Sequence, residues 1–129
     1  MVDECLEKHS RCLIFDCHSF PEQPLPYESD RNRPDICIGT DTYHTNEELR
    51  DCLSKVFKAL DYDVAINSPF SGTIVPSKHY QKDQRVVSVM IEVNRSLYTS
   101  PSDFKRVQSD LTHAILQTAT IRSNHISGE

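Results

Sequence analysis

Cys12-Leu13-Ile14-Phe15-Asp16-Cys17-His18-Ser19 and Val86-Val87-Ser88-Val89-Met90-Ile91-Glu92-Val93-Asn94-Arg95 are the stretches whose reading decides the fold. Each is a short apolar run that ends in reactive polar residues. Side chains of this type suit buried strands. Open α/β sheets gather their active sites where strands present polar groups at their carboxyl ends. The two runs therefore predict two core strands and a candidate site at their tips.

Working outward, Val2 to His9 reads as a helix with Val2, Cys5 and Leu6 on one face, and the first strand follows over Cys12 to Cys17. Phe20 to Pro34 carries four prolines amid charges and reads as a loop. Asp35 to Gly39 is a second strand. Thr45 to Leu60 is a helix, its start marked by Thr45 and Glu48 in capping-box spacing and its buried stripe by Leu49, Cys52, Leu53, Val56, Phe57 and Leu60. Val64 to Ile66 makes a third strand, and Ser71 to Arg85 a loop with a short strand at Thr73 to Val75. Val86 to Val93 is the fourth clear strand. A last helix opens at Pro101, with Phe104, Val107, Leu111, Ile115 and Leu116 as its stripe, and the tail from Ser123 is expected to fray. This alternation predicts one α/β domain over residues 1–129, with a mainly parallel or mixed sheet flanked by helices on both faces.

A length of 129 residues suits a single core. The net charge of −5 and the scattering of the basic residues argue against a nucleic-acid surface. No apolar run reaches the length needed to span a bilayer, and the acidic amino terminus shows no secretory signal. Five cysteines without a Cys-x-x-Cys spacing read as reduced thiols in a cytoplasmic protein. The same lack of a paired motif argues against a cysteine-based redox role.

His18, at a strand end between Asp16 and Ser19, suits a metal ligand or a base, or else a surface histidine capped by its turn. Glu92 lies within an apolar strand, where a charge is costly unless it faces a cleft or has a partner. It reads as a general base of raised pKa or as an ion-pair partner of Arg95. Asn67-Ser68-Pro69-Phe70-Ser71-Gly72 is either a ligand-binding turn or a plain one. Cys17 alternates away from His18 and is expected to be buried, so the two would form no thiol–imidazole pair. His44 and His79 are expected at the surface, though His79 in its polar loop could approach a site.

Asp16-Cys17-His18-Ser19-Phe20-Pro21, Pro34-Asp35-Ile36-Cys37-Ile38-Gly39, Val64 through Gly72 and Ile91-Glu92-Val93-Asn94-Arg95-Ser96-Leu97-Tyr98, in that order, resemble the N-formylglutamate amidohydrolase family. The resemblance implies a zinc-peptidase-like (phosphorylase/hydrolase-like) fold and hydrolysis of an N-formyl or similar amide of a small amino acid. It makes His18 a zinc ligand, Glu92 the catalytic carboxylate, and Arg95, Asn67 and Ser19 substrate-binding residues. It also implies an amino-terminal half that carries a His/Glu pair of further zinc ligands and an Asn-Arg clamp, neither of which precedes His18. The chain is therefore expected to be the truncated, carboxyl-terminal part of such a hydrolase, and to form a homo-oligomer, a dimer, that covers the sheet edge or apolar face which loss of the first half would expose. The rival expectation is a catalytically inactive relative that serves as a binding or assembly module.

Overall fold

The computed structural model describes residues 1–127, with side chains through Thr120. In chain order the elements are α1 (Val2–Lys8), β1 (Cys12–Phe20), β2 (Ile36–Gly39), α2 (Glu47–Ala59), β3 (Val64–Ile66), β4 (Val86–Asn94), a 3-10 turn (Arg95–Tyr98) and α3 (Pro101–Ser127).

The strands form one mixed sheet in the order β1-β4-β2-β3. β1 runs parallel to β4 and β2 parallel to β3, and the two pairs meet antiparallel where β2 lies against β4. All nine residues of β4 are buried, as its near-continuous apolar sequence requires of a central strand. Because side chains alternate, Val87, Val89, Ile91 and Val93 share one face of the sheet with Ile36 and Ile38. On that face they cluster with Leu49, Leu53 and Phe57 of α2 and with Val107 and Ala114 of α3. Each fully buried Val, Leu, Ile or Phe side chain among them stabilises the fold by about 1.5–3 kcal/mol. The opposite face carries Ser88, Met90 and Glu92, and the loop after β3 lies over part of it. Ser88 Oγ donates to the Ile74 carbonyl, and the Ile74 amide donates to Asp16. A Cβ at Gly39 would collide with the Gly72 carbonyl oxygen, so glycine there lets loop and sheet approach.

Several expectations shift by a few residues, each for a local reason. β1 continues past Cys17 to Phe20, in register with β4 to its last residue, Asn94. Thr73 to Val75 forms no strand, since the backbone of Ile74 is engaged by the side chains of Ser88 and Asp16. Asn46, not Thr45, caps α2 by accepting from the Leu49 amide. The Thr45 hydroxyl is already committed, donating to the Ser88 carbonyl. Along α3, Val107, Ala114 and Thr118 are buried, while Phe104 and Leu116 are more than half exposed. The helical backbone runs to Ser127, through most of the stretch expected to fray, and Gly128 and Glu129 lie outside the described residues.

Two histidines expected at the surface are buried. His44 donates from Nδ1 to the Val86 carbonyl at 2.7 Å and accepts the Gln81 amide at Nε2, 2.9 Å away. That pair of bonds requires the neutral ring. His79 contacts Asp3 of α1 at 2.9 Å and so ties the first helix to the long loop. No helix among the described residues is long and apolar enough to cross a membrane.

Candidate active site

The site begins with register. His18 on β1 is the Cα partner of Glu92 on β4, and Cys37 on β2 is the partner of Glu92 from the other side. Directly paired residues point to the same face, so an imidazole, a carboxylate and a thiol stand in a row across three strands. Asp16, two residues before His18, shares this face.

Asp16 Oδ1 lies 2.7 Å from His18 Nε2, and its other oxygen accepts the Ile74 amide at 3.0 Å. A carboxylate can only accept, so Nε2 carries the proton and the lone pair of the ring sits on Nδ1. The carboxylate thereby fixes both the orientation and the tautomer of an imidazole whose side chain is half exposed, at 52%.

Glu92 is 8% exposed, and its Oε1 has no hydrogen-bond partner. Burial pushes its carboxyl above the usual value; the nearby His18 and Arg95 act against this and Asp16 acts with it. The ion pair with Arg95 is not formed. Arg95 Nε donates instead to Ser19 Oγ at 3.1 Å, linking the tips of β1 and β4. On the other flank, the Cys37 thiol donates to the Phe70 carbonyl, and burial raises its pKa. A buried carboxyl of raised pKa, with a free oxygen beside an oriented imidazole, is equipped to take a proton from a neighbouring nucleophile.

The other expected site residues separate into two groups. Ser19 alternates onto the helix-packed face, where it borders an apolar cavity of about 350 Å³ with Cys17, Tyr98, Phe104 and Leu111, and His18 stands on the rim. Cys17 is exposed at this edge, not buried, because among the described residues no strand pairs with the outer side of β1. Asn67 lies after β3, two strands away from β4. It adopts a left-handed backbone, with φ of 58°. Both atoms of its amide are engaged by Thr40, accepting from the backbone and donating to the hydroxyl, so it holds the turn in place.

One residue at this end went unnoticed in the sequence. Arg33 stacks 5.6 Å from the Phe20 ring and 5.7 Å from the Phe70 ring and is paired with Glu28. Its Nε is buried without a partner. The only available signal was an arginine next to Pro34, and it becomes informative only when the Phe20 and Phe70 rings converge on it.

A zinc ion engaged in catalysis takes three protein ligands. Among the described residues, no group of three or more His, Cys, Asp or Glu side chains is placed to hold a metal ion. His18, with its ring held by Asp16, fits one position of such a site, and the remaining positions have no donors here.

The chain's relatives bear on this arrangement. The family model for N-formylglutamate amidohydrolase matches residues 1–99. No curated protein matches the chain. Among solved structures it is similar to an N-formylglutamate amidohydrolase from Ralstonia eutropha JMP134, with 25% identity and a TM-score of 0.75, covering 99% of this chain and 48% of that one. The gene product Atu2144 from Agrobacterium tumefaciens shares the fold at 16% identity and a TM-score of 0.63, over 95% of this chain and 49% of its own. The chain thus spans about half the length of these structures. With its His18–Glu92 register, its mixed sheet and a family match over residues 1–99, the chain belongs to the N-formylglutamate amidohydrolase family.

Proposed function

We propose that this protein is an amidohydrolase in which Glu92 is the general base, acting on the amide of a small N-acyl amino acid such as an N-formyl derivative. The observation that carries this reading is the buried Glu92 carboxyl, whose Oε1 has no partner and whose Cα partner is His18. Glu92 would accept a proton from the attacking water and return it to the leaving amine, as general acid–base catalysis of amide cleavage requires. Asp16 would hold His18 in the tautomer that leaves Nδ1 able to donate a lone pair. Arg95, fixed by Ser19, offers its remaining guanidinium donors to a substrate carboxylate. Asn67 would act indirectly, by shaping the turn that brings Phe70 to Phe20.

Zinc, where bound, supplies Lewis-acid polarisation of the amide carbonyl. His18 is our candidate ligand, and any zinc-dependent activity needs donors beyond the described residues. That shortfall is also what favours the second reading, a family member without turnover that binds or assembles. A cytoplasmic setting is our expectation, because the five cysteines offer no Cys-x-x-Cys spacing.

The test is hydrolysis of N-formylglutamate together with metal analysis of the purified chain, repeated for Glu92→Gln and His18→Ala. Turnover that is lost in Glu92→Gln supports the amidohydrolase. Absence of both zinc and turnover in the parent chain overturns it and leaves the second reading.

A further inference from the structure

We propose that Cys5 and Cys12 form a reversible two-electron redox site, which closes to a disulfide when hydrogen peroxide oxidises Cys5. This is independent of the catalytic reading.

The pair is made by the chain folding back on itself. α1 ends at Lys8, and the extended residue His9 leads towards β1, which begins at Cys12. The His9 amide donates to the Cys5 carbonyl at 2.8 Å. Near the start of α1, Asp3 accepts from Lys78 Nζ at 3.0 Å and contacts His79 at 2.9 Å, so the helix is fastened to the long loop. Val2 and Cys5, three residues apart, share a helix face. Both border a cavity of about 720 Å³ with Cys12, Leu13, Phe15 and Ile74. The Cys5 thiol lies 3.5 Å from the Arg11 carbonyl oxygen, one peptide bond from Cys12. The two thiols are within hydrogen-bond reach there, and burial followed by this contact pushes the Cys12 thiol up to about 11. Each of the other three thiols faces oxygen instead: Cys17 the Phe15 carbonyl, Cys37 the Phe70 carbonyl and Cys52 the Thr118 hydroxyl. Leu6 to Arg11 separate the pair, so no Cys-x-x-Cys spacing announces it in the sequence.

Exposure divides the roles. Cys12 is 7% exposed and Cys5 is the more open of the two. Cys5 therefore meets the oxidant, and Cys12 resolves the product. The raised pKa keeps Cys12 in its thiol form, which spares it direct oxidation. The apolar lining admits neutral hydrogen peroxide and disfavours a charged oxidant such as a glutathione disulfide. In the first step the Cys5 sulfur attacks one peroxide oxygen. The O–O bond breaks, the sulfur is oxidised by two electrons to a sulfenic acid, and the departing hydroxide leaves as water with the thiol proton. In the second step the Cys12 sulfur attacks that of Cys5. The S–O bond breaks, the S–S bond forms, and the hydroxide leaves with the Cys12 proton as a second water. Exchange with a dithiol returns both residues to thiols.

The test treats the native chain with a few equivalents of hydrogen peroxide, followed by acid quenching and alkylation of the remaining thiols. Free thiols are expected to fall from five to three, and dithiothreitol to restore all five. A tryptic map is expected to join Met1–Lys8 to the peptide that begins at Cys12, with fragment spectra placing the bridge at Cys12 and not at Cys17. An adjacent sulfur is an intramolecular partner, so this bridge should exceed any other pairing at least about tenfold. In Cys12→Ser, shown to be folded by circular dichroism, the Cys5 sulfenic acid has no resolving thiol and is expected to be captured by dimedone. Cys17→Ser is expected to close the bridge as the parent does. A parent chain that keeps five free thiols overturns the proposal, as does one that joins another pair. So does a folded Cys17→Ser variant without the bridge, or a folded Cys12→Ser variant that dimedone does not label at Cys5. If Cys12→Ser does not fold, the thiol count and bridge map of the parent chain decide alone.

Discussion

Ser88 and Glu92 stand on the same face of the same strand, both buried, and the protein treats them in opposite ways. Around Ser88 every polar atom is satisfied. Its hydroxyl donates to the Ile74 carbonyl at 2.7 Å, so the Thr73 hydroxyl must be the donor of the second 2.7 Å bond to Ser88 Oγ. One turn of loop is thereby fastened to the sheet. At Glu92, one carboxylate oxygen has no partner and burial holds the carboxyl toward its protonated form. Leaving a buried polar atom unpaired costs about 1–3 kcal/mol. Such a cost falls at the strand end where His18 and Arg95 converge and where our proposed site lies, whereas around Ser88 the polar groups are all partnered.

Glu92→Gln breaks this contrast most sharply. It keeps the shape of the side chain and removes the base, so turnover of a formyl-amino acid should fall about 10²- to 10⁴-fold. Thermal stability should be equal to or above that of the parent. An activity assay and a melting curve on the same sample check both, and a variant that is inactive because it is unfolded would remove the argument.

The two ends of the sheet also differ in their histidines, which sets the next largest effect. His44→Ala removes the acceptor of the Gln81 amide and a bond to the Val86 carbonyl, inside an aromatic contact with Tyr43 and Tyr80. We expect a loss of about 3 kcal/mol. His18→Ala removes a half-exposed ring whose one hydrogen bond is to Asp16, and we expect a change within about 0.5 kcal/mol. Chemical denaturation of the two variants separates a histidine that builds the fold from one that is available for function.

Ser88→Ala comes next. It leaves the Ile74 carbonyl without its donor and the Thr73 hydroxyl without its acceptor, at a cost of about 2 kcal/mol. For a domain of this size that lowers the Tm by about 8 °C. A change of under a degree would mean that the loop from Gly72 to Val75 is not held by this pair.

Much of this contrast was legible in the sequence, and the part that was not has a common cause. The unbroken apolar run of β4 and the polar tips of β1 and β4 name the strands and place His18 and Glu92 at their ends, because burial and alternation act over a few neighbours. What the sequence left open was decided by groups distant along the chain. Thr45 loses its capping role to Asn46 because its hydroxyl is taken by the Ser88 carbonyl, 43 residues away. His44 and His79 are buried because Val86, Gln81 and Asp3 offer them partners. Cys17 is exposed because β1 lies at an edge, which depends on strand order. The pairing of His18 with Glu92 needed the parallel register itself, and Arg33 needed two distant rings, Phe20 at the end of β1 and Phe70 in the loop after β3.

The smallest expected effect concerns pH, and it isolates the carboxyl that distinguishes the two ends of β4. The Glu92 carboxyl is raised in the folded chain above its ordinary value of 4.5, chiefly by burial. On raising the pH, the unfolded chain therefore loses this proton first, and the folded chain holds more protons between the two values. Stability falls with pH across that window. Below pH 4.5 both states are protonated and the penalty is absent; above the folded value it is present in full. Glu92→Gln cannot ionise and escapes it. Parent and variant should therefore approach each other in stability near pH 4, with the variant the more stable at pH 7. Denaturation curves across this range measure the difference directly. A gap that is constant with pH would place the cost of Glu92 in its shape or packing, and the contrast with Ser88 would then not be one of charge.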